Sequence, residues 1–254
     1  MTTETEGIYM FCAIPSAEDQ TFGKVKLAGE HRKVYTIPYK DAAMVVTRAP
    51  VQIYEPSRQN LKAHQDLVAD IMKKYTVIPM SFGNVLQNKE DVRILMGKLY
   101  KQFTEIFPKI ENKIEVGLKL VGKKEWIERT IQENPNIQSL KSGAEGKSKQ
   151  AGYYDRIKLG EAARTFMTDL QIHFDKEIFQ QLAKEADAAR NNDPVSERMV
   201  MNASFLVDRD NEQAFDELVN EIHEEWGDRL DFKYTGPWPA YNFINIKLKA
   251  EGAS

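Results

Sequence analysis

The chain has 254 residues, with 35 Lys and Arg against 38 Asp and Glu, for a formal net charge of −3. Apolar residues make up 42% and charged residues 29%, ordinary values that exclude collagen-like, mucin-like and wholly disordered chains. The near balance of charge gives no general pull toward nucleic acid or anionic lipid, and lacks the heavy acidic excess of adaptation to molar salt. No apolar run approaches the roughly 20 residues of a spanning helix. Met1 to Glu6 is polar and acidic, unlike a secretory signal. Cys12 is the only cysteine, so an internal disulfide is impossible and a reducing cytoplasm is the expected compartment.

The run Gly7 to Ile14, closed by Pro15, is apolar and rich in aromatic and β-branched residues, which predicts a buried strand. Lys24 to Leu27, Lys33 to Ile37 and Ala42 to Thr47 are three further strand segments, with breaks at Gly29-Glu30 and Tyr39-Lys40-Asp41. Leu61, His64, Val68, Ile71, Met72 and Tyr75 share one face of a predicted helix. A second helix carries Val92, Leu95, Met96, Leu99, Tyr100, Phe103, Ile106 and Phe107, capped by Asn88 and ended by Pro108. Between them, Val77 to Val85 reads as a short strand running into a turn.

In the second half, Ile114 to Val121 begins with strict apolar–polar alternation, the mark of a half-buried strand. Glu133 to Gly152 is polar and short of apolar side chains, so a mobile loop is expected over about 134–152. Tyr154 to Ala189 reads as one long helix, and Met199 to Val207 as a strand. The next helix is expected to open on a capping box of Asp210 and Gln213 and to close at Gly227, with Phe215, Leu218, Val219, Ile222 and Trp226 inside. Leu230 to Tyr234 and Tyr241 to Ile246 are the final predicted strands. The order predicts an α+β protein of two domains, residues 1–111 and 112–254; it is compatible with a variant of the ferredoxin-like fold in the second, whose strand order the element order leaves open.

Several near-motifs fail on inspection. Gly143 to Ser148 resembles the end of a phosphate-binding loop, but Lys141 stands where the first glycine belongs and no buried strand precedes it. His223-Glu224 begins like a zinc-protease helix, but Gly227 replaces the second histidine. Asp208, Asp210 and Glu212 mimic a calcium loop without its glycine or closing glutamate, and helix capping accounts for them. Cys12 lies mid-strand among apolar residues, the setting of an inert thiol. His64, on an apolar helix face, reads as a core histidine with one nitrogen satisfied, against a functional role. No catalytic constellation, cofactor site or metal site is expected.

Two segments are unusual for packing alone. Pro237 and Pro239 flank Trp238, with Tyr241 close behind, and the two missing N–H groups exclude an ordinary central strand. The segment is either an aromatic plug over the core or a rigid apolar contact for a partner. Phe82-Gly83 offers the same pair of readings, a tight turn or a surface feature.

Three stretches together carry a resemblance: Gly7 to Phe11, Ile78 to Val85, and Thr235 to Phe243. In this order and spacing they resemble the signatures of the gas vesicle protein F/L family (GvpF/GvpL), across about Gly7 to Ile246. His64 stands where that family often has a histidine, and the strand Lys113 to Lys119 is similar to the family's. Met80-Ser81 departs from a common arginine-bearing variant, and Ala240 from a frequent third proline. The resemblance implies two α+β domains, the second a modified ferredoxin-like one. It implies a non-enzymatic accessory or minor structural protein of gas vesicles, cytoplasmic before assembly. Such a protein binds the small, apolar main shell protein, limits its aggregation and helps nucleate or line the shell, alongside other gas vesicle proteins and without nucleic acid or membrane. Phe82, Gly83, Pro237, Trp238, Pro239 and Tyr241, with an exposed strand edge, are the expected partner contacts. The alternatives are a regulatory protein that binds a small molecule, which requires a convergent polar pocket, and an enzyme, which requires a cleft of paired titratable groups.

Overall fold

Residues Glu6–Ile14 are apolar at nearly every position because the strand they form, β1, is buried on both faces. In the computed structural model, which describes residues 5–144 and 153–247, β1 pairs antiparallel with β4 (Ala42–Pro50). The sheet continues through β3 (Glu30–Tyr39) to β2 (Thr21–Leu27), in the order β2-β3-β4-β1. Two strands of two residues each, β5 (Ile78–Pro79) and β6 (Val85–Leu86), pair with β1 on its remaining edge. The loop between them stays on that edge: Met80 N–H donates to the Phe11 carbonyl at 2.8 Å, and Met10 N–H to the Asn84 carbonyl at 3.0 Å.

Helices α1 (Arg58–Met72) and α2 (Lys89–Ile110) cover opposite faces of this sheet. Successive strand residues point to opposite sides. Tyr9 bonds His64 of α1, while its neighbour Met10 lines a groove with Leu95 and Leu99 of α2. Asn88 caps α2 as expected, its side chain accepting from Asp91 N–H at 3.0 Å. Pro108 does not end that helix; it sits in the last turn, which runs on to Ile110. The turn into the next strand is made by Asn112 in the left-handed region, at φ +54°.

Gly7 is required by close approach. A Cβ there would meet the Leu86 carbonyl oxygen and, at 2.6 Å, Val51 Cγ2. Gly7→Ala is expected to lower stability by about 2 kcal/mol through overpacking. Gly160, inside a helix with open space around it, is the control. Gly160→Ala should raise stability by about 0.5–1 kcal/mol, both read from urea unfolding.

The second sheet has the order β10-β7-β9-β8. Its strands are β7 (Lys113–Gly122), β8 (Ala188–Asn191), β9 (Met199–Asp208) and β10 (Leu230–Trp238). Between β7 and β8 lie α3 (Lys124–Glu133), α4 (Pro135–Ala144), α5 (Tyr153–Phe174), a π-helical turn (Asp175–Phe179) and α6 (Gln180–Lys184); α7 (Glu212–Trp226) joins β9 to β10. Phe174, Ile178, Leu182, Phe205 and Phe215 are buried in this unit. The chain divides into two compact units: residues up to Glu115 with those from Pro237 on, and Val116–Gly236.

Several expectations are corrected. Part of the expected loop is helix α4. Asn134 accepts from the N–H groups of Asn136 and Ile137 at 3.1 and 3.2 Å, and Pro135 follows as the first helical residue. Asn-Pro is thus a helix start here; residues 145–152 of that expectation lie outside the described ones. The long helix expected to Ala189 ends at Lys184, after the π-helical turn, and Ala188–Asn191 pair as β8. No Asp210–Gln213 box forms: Asp208 caps a short turn ahead of α7, and Gln213 bonds Glu217 at 2.9 Å. Tyr241 to Ile246 is not a strand. The boundary drawn after residue 111 put all of 112–254 in the second domain, whereas the tail from Pro237 packs with the first unit.

Candidate functional site

Loop Met80–Asn84 owes its shape to one buried polar chain. His64 is 2% exposed, and both ring nitrogens are bonded. The Met80 carbonyl can only accept, so Nε2 carries the proton and donates to it at 3.2 Å. Nδ1 then accepts from the Tyr9 hydroxyl at 2.9 Å, and Tyr9 Oη in turn accepts from Gly83 N–H at 3.0 Å. Burial lowers the His64 pKa to about 4 and raises that of Tyr9 to about 12. Both groups are therefore neutral near pH 7 and serve to hold the loop. Gly83 sits at φ +86°, which an L side chain rarely adopts.

Phe82 projects from this loop, half-buried, with its ring 5.8 Å from His64 and 6.2 Å from Tyr9. Tyr54 packs on the other side of Tyr9 at 5.2 Å and is fixed by its hydroxyl donating to the Pro50 carbonyl at 3.0 Å. Tyr54 holds its neighbours outward: Ile53 is 95% exposed and Val51 43%. The segment anchored by Tyr54 thus presents β-branched apolar side chains to water. Sequence reasoning missed Val51 and Ile53. Their only signal is an apolar pair in the turn-forming context Gln52-Ile53-Tyr54-Glu55-Pro56.

On the α2 side, the same loop walls a groove of about 370 Å³. Met10, Met80, Leu95, Leu99, Ile244 and Ile246 give it an apolar lining, and Ser81, Asn84, Tyr241 and Asn245 add neutral polar groups. No charged side chain lines it. The far wall is the tail, pinned at two points. The buried Glu115 carboxylate accepts from Asn242 N–H at 2.7 Å and from its side-chain amide at 2.5 Å. Gln102 and Lys247 exchange a reciprocal pair of bonds at 2.9 and 3.0 Å. Burial pushes the Tyr241 hydroxyl up to about 12.

The six residues singled out from the sequence divide. Phe82 and Gly83 lie on the loop, and Tyr241 shares the groove that this loop walls. Pro239 is buried, beside the turn at Ala240. Pro237 is exposed and Trp238 half-buried at the end of β10, and neither lines the groove. The sheet edges carry devices that discourage pairing. On β2 these are exposed Lys24 and Lys26 and a register shift with Gly23 at φ +71°. On β10 they are exposed Asp231, Lys233 and Pro237. Cys12 is fully buried and its thiol pKa is raised by burial. Among the described residues no three or more His, Cys, Asp or Glu cluster to hold a metal ion, and no helix is long and apolar enough to cross a membrane.

Comparison with known proteins identifies the fold and the family. Residues 7–245 match the family described as gas vesicle synthesis protein GvpL/GvpF. Gas vesicle protein F1 of Halobacterium salinarum is 27% identical over 250 residues, covering 97% of both chains. Gas vesicle protein F of Nostoc sp. is 26% identical, covering 95% of this chain and 99% of its own. The crystal structure of GvpF from Anabaena sp. superposes with a TM-score of 0.78 at 23% identity, over 96% of this chain and all of the other. That of GvpF from Microcystis aeruginosa gives 0.76 at 20% identity, over 94% of this chain and 99% of the other. A match from the first strand to the tail beyond Tyr241 places this chain in the GvpL/GvpF family of gas vesicle proteins.

Proposed function

We propose that this protein takes part in gas vesicle formation as an accessory or minor structural component, cytoplasmic before assembly and then associated with the vesicle. It binds the apolar main shell protein, limits its aggregation and supports nucleation or lining of the shell. The observation that carries this reading is the family match across residues 7–245. The surface physics is consistent with it. The segment anchored by Tyr54 holds Ile53 and Val51 in water, an arrangement that costs solvation in isolation and is recovered when an apolar partner covers it. The blunted edges of β2 and β10 favour contact through side chains over strand pairing. Phe82, Gly83 and Tyr241, with Pro237, Trp238 and Pro239 at the end of β10, are the proposed contacts, joined by Val51 and Ile53. The uncharged groove disfavours a charged small-molecule effector at that place. We also read the second unit as a modified ferredoxin-like fold. Its strand–helix–strand–strand–helix–strand order and the sheet order β10-β7-β9-β8 support this.

The test is co-sedimentation of the purified chain with the main shell protein under assembly conditions. Binding by the wild type is expected, and the double variant Ile53→Ser, Phe82→Ser should weaken it by about tenfold or more. Full binding by a folded double variant would move the contact elsewhere. Absence of binding by the wild type would overturn the functional reading itself.

A further inference from the structure

The face of the first sheet that α2 covers carries a concentration of positive charge toward the N-terminal end of that helix. Tyr35 of β3 lies opposite Val46 of β4. Side chains alternate along a strand, so Lys33, Tyr35, Val46 and Arg48 share one face. Lys89, the first residue of α2, adds a third cation, with Nζ 5.1 Å from the centre of the Tyr35 ring. Lys33, Arg48, Lys89, Tyr35 and Thr21 line one open hollow of about 430 Å³, in which Asp19 is the single carboxylate.

The acids nearby are engaged or weakly held. Glu30 pairs with Arg32 at 2.5 Å, Glu90 with Arg93 at 3.5 Å, and Asp91 accepts from the Asn88 side chain at 3.0 Å. Glu6 comes only to 3.8 Å from Arg48, with both side chains more than half exposed, so water screens that pair. Lys33 and Lys89 have no carboxylate within ion-pair distance among the described residues. The buried Tyr35 hydroxyl makes no hydrogen bond of good geometry, and the Arg48 guanidinium beside it can only donate, so the phenolic O–H finds no acceptor. Buried polar atoms are nearly always satisfied. An orphaned hydroxyl under two long, flexible cations is what a site for a missing acceptor looks like.

We propose that this hollow binds a phosphate-class dianion, either the free ion or a phosphomonoester. Lys33, Arg48 and Lys89 supply charge, and the Tyr35 hydroxyl becomes a fourth donor as Arg48 and Lys89 close onto the ligand. The charge argues for a dianion: three cations line the hollow against the one carboxylate of Asp19, an excess of two positive charges among the lining residues. The geometry argues for a tetrahedral group over a carboxylate. Donors converge from β3, β4 and α2, whereas a planar carboxylate is satisfied by one guanidinium. The N-terminal end of α2, a helix of 22 residues, adds its dipole to the field.

The test is titration of the full chain with sodium phosphate, followed by amide NMR shifts, against sodium chloride and acetate at equal ionic strength. Saturable shifts around residues 33–36, 48 and 89 are expected with phosphate alone, with a Kd of about 1 mM or tighter. The exposed cations can be removed without disturbing the core, so Arg48→Gln and Lys33→Gln should each weaken binding about tenfold. Glycerol 3-phosphate separates the sources: tighter binding of the ester indicates an organic phosphate, and equal binding the free ion. Phosphate shifts no different from those of chloride, or unaffected by Arg48→Gln, would overturn the proposal.

Discussion

Replacing Glu115 by alanine is expected to destabilise the first unit by about 3 kcal/mol and to release the tail. Glu115 is 4% exposed, and its carboxylate accepts two bonds from Asn242 at 2.7 and 2.5 Å. Bonds to a buried charge are about twice as strong as neutral ones. The variant loses both and leaves the half-buried Asn242 amide groups without their acceptor. The second anchor does not compensate, because the Gln102–Lys247 pair is exposed and competes with water. Once the tail lifts, Met10, Leu95 and Leu99 lose one wall of their groove to solvent. The measurements are urea unfolding and limited proteolysis: Glu115→Ala should cut rapidly beyond Pro239, while Gln102→Ala should behave like the wild type. A Glu115→Ala midpoint within about 1 kcal/mol of wild type, with a protected tail, would show that packing alone holds the segment.

Acidification should weaken this protein through His64 by about 3 kcal/mol. The folded-state pKa is lowered by burial to about 4 from an ordinary value of 6.5. The unfolded chain therefore takes up a proton first as pH falls. The stabilisation is fully present above about pH 6.5 and is lost progressively down to about pH 4. Protonation would also place a hydrogen on Nδ1, which now accepts from Tyr9, and so break the chain that ends at Gly83. The loop carrying Phe82 should loosen in the same pH range. Unfolding free energies at pH 7 and pH 4.5 test this against His64→Gln, which cannot titrate there. The wild type should lose more stability across that interval than the variant. Parallel losses would remove His64 as the cause.

Local patterns made much of the fold legible. The unbroken apolar run of β1, the alternation in β7 and the stripe of Phe215, Val219 and Ile222 in α7 each reflect one element burying one side or both, which neighbouring residues record. Asn88 before α2 is equally local. The errors cluster where a local signal has two meanings. Asn134-Pro135 is polar and turn-like, yet it starts α4, with Ile137 buried behind it. Ala188 and Ala189 continue a helical pattern in sequence but pair with Leu206 and Phe205 across a hairpin. Pro108 reads as a stop, but the helix tolerates it near its end and Asn112 makes the turn.

The candidate surface was half visible. Phe82, Gly83 and Tyr241 stand out as unusual residue types in short motifs, and the family resemblance rests on those same motifs. What they do was not visible, because the bonds involved span long separations: Tyr9 to His64, Tyr9 to Gly83 and Glu115 to Asn242. By itself the sequence determined the α+β class, the main strands and helices and the family, since each is written in periodicity or in contiguous motifs. Only the tertiary structure decided that the tail returns to the first unit, that His64 is a neutral buried strut, that Ile53 is held in water, and that Lys33, Arg48 and Lys89 converge. Those facts depend on which distant residues share a face or a register, and composition and local spacing carry no record of that.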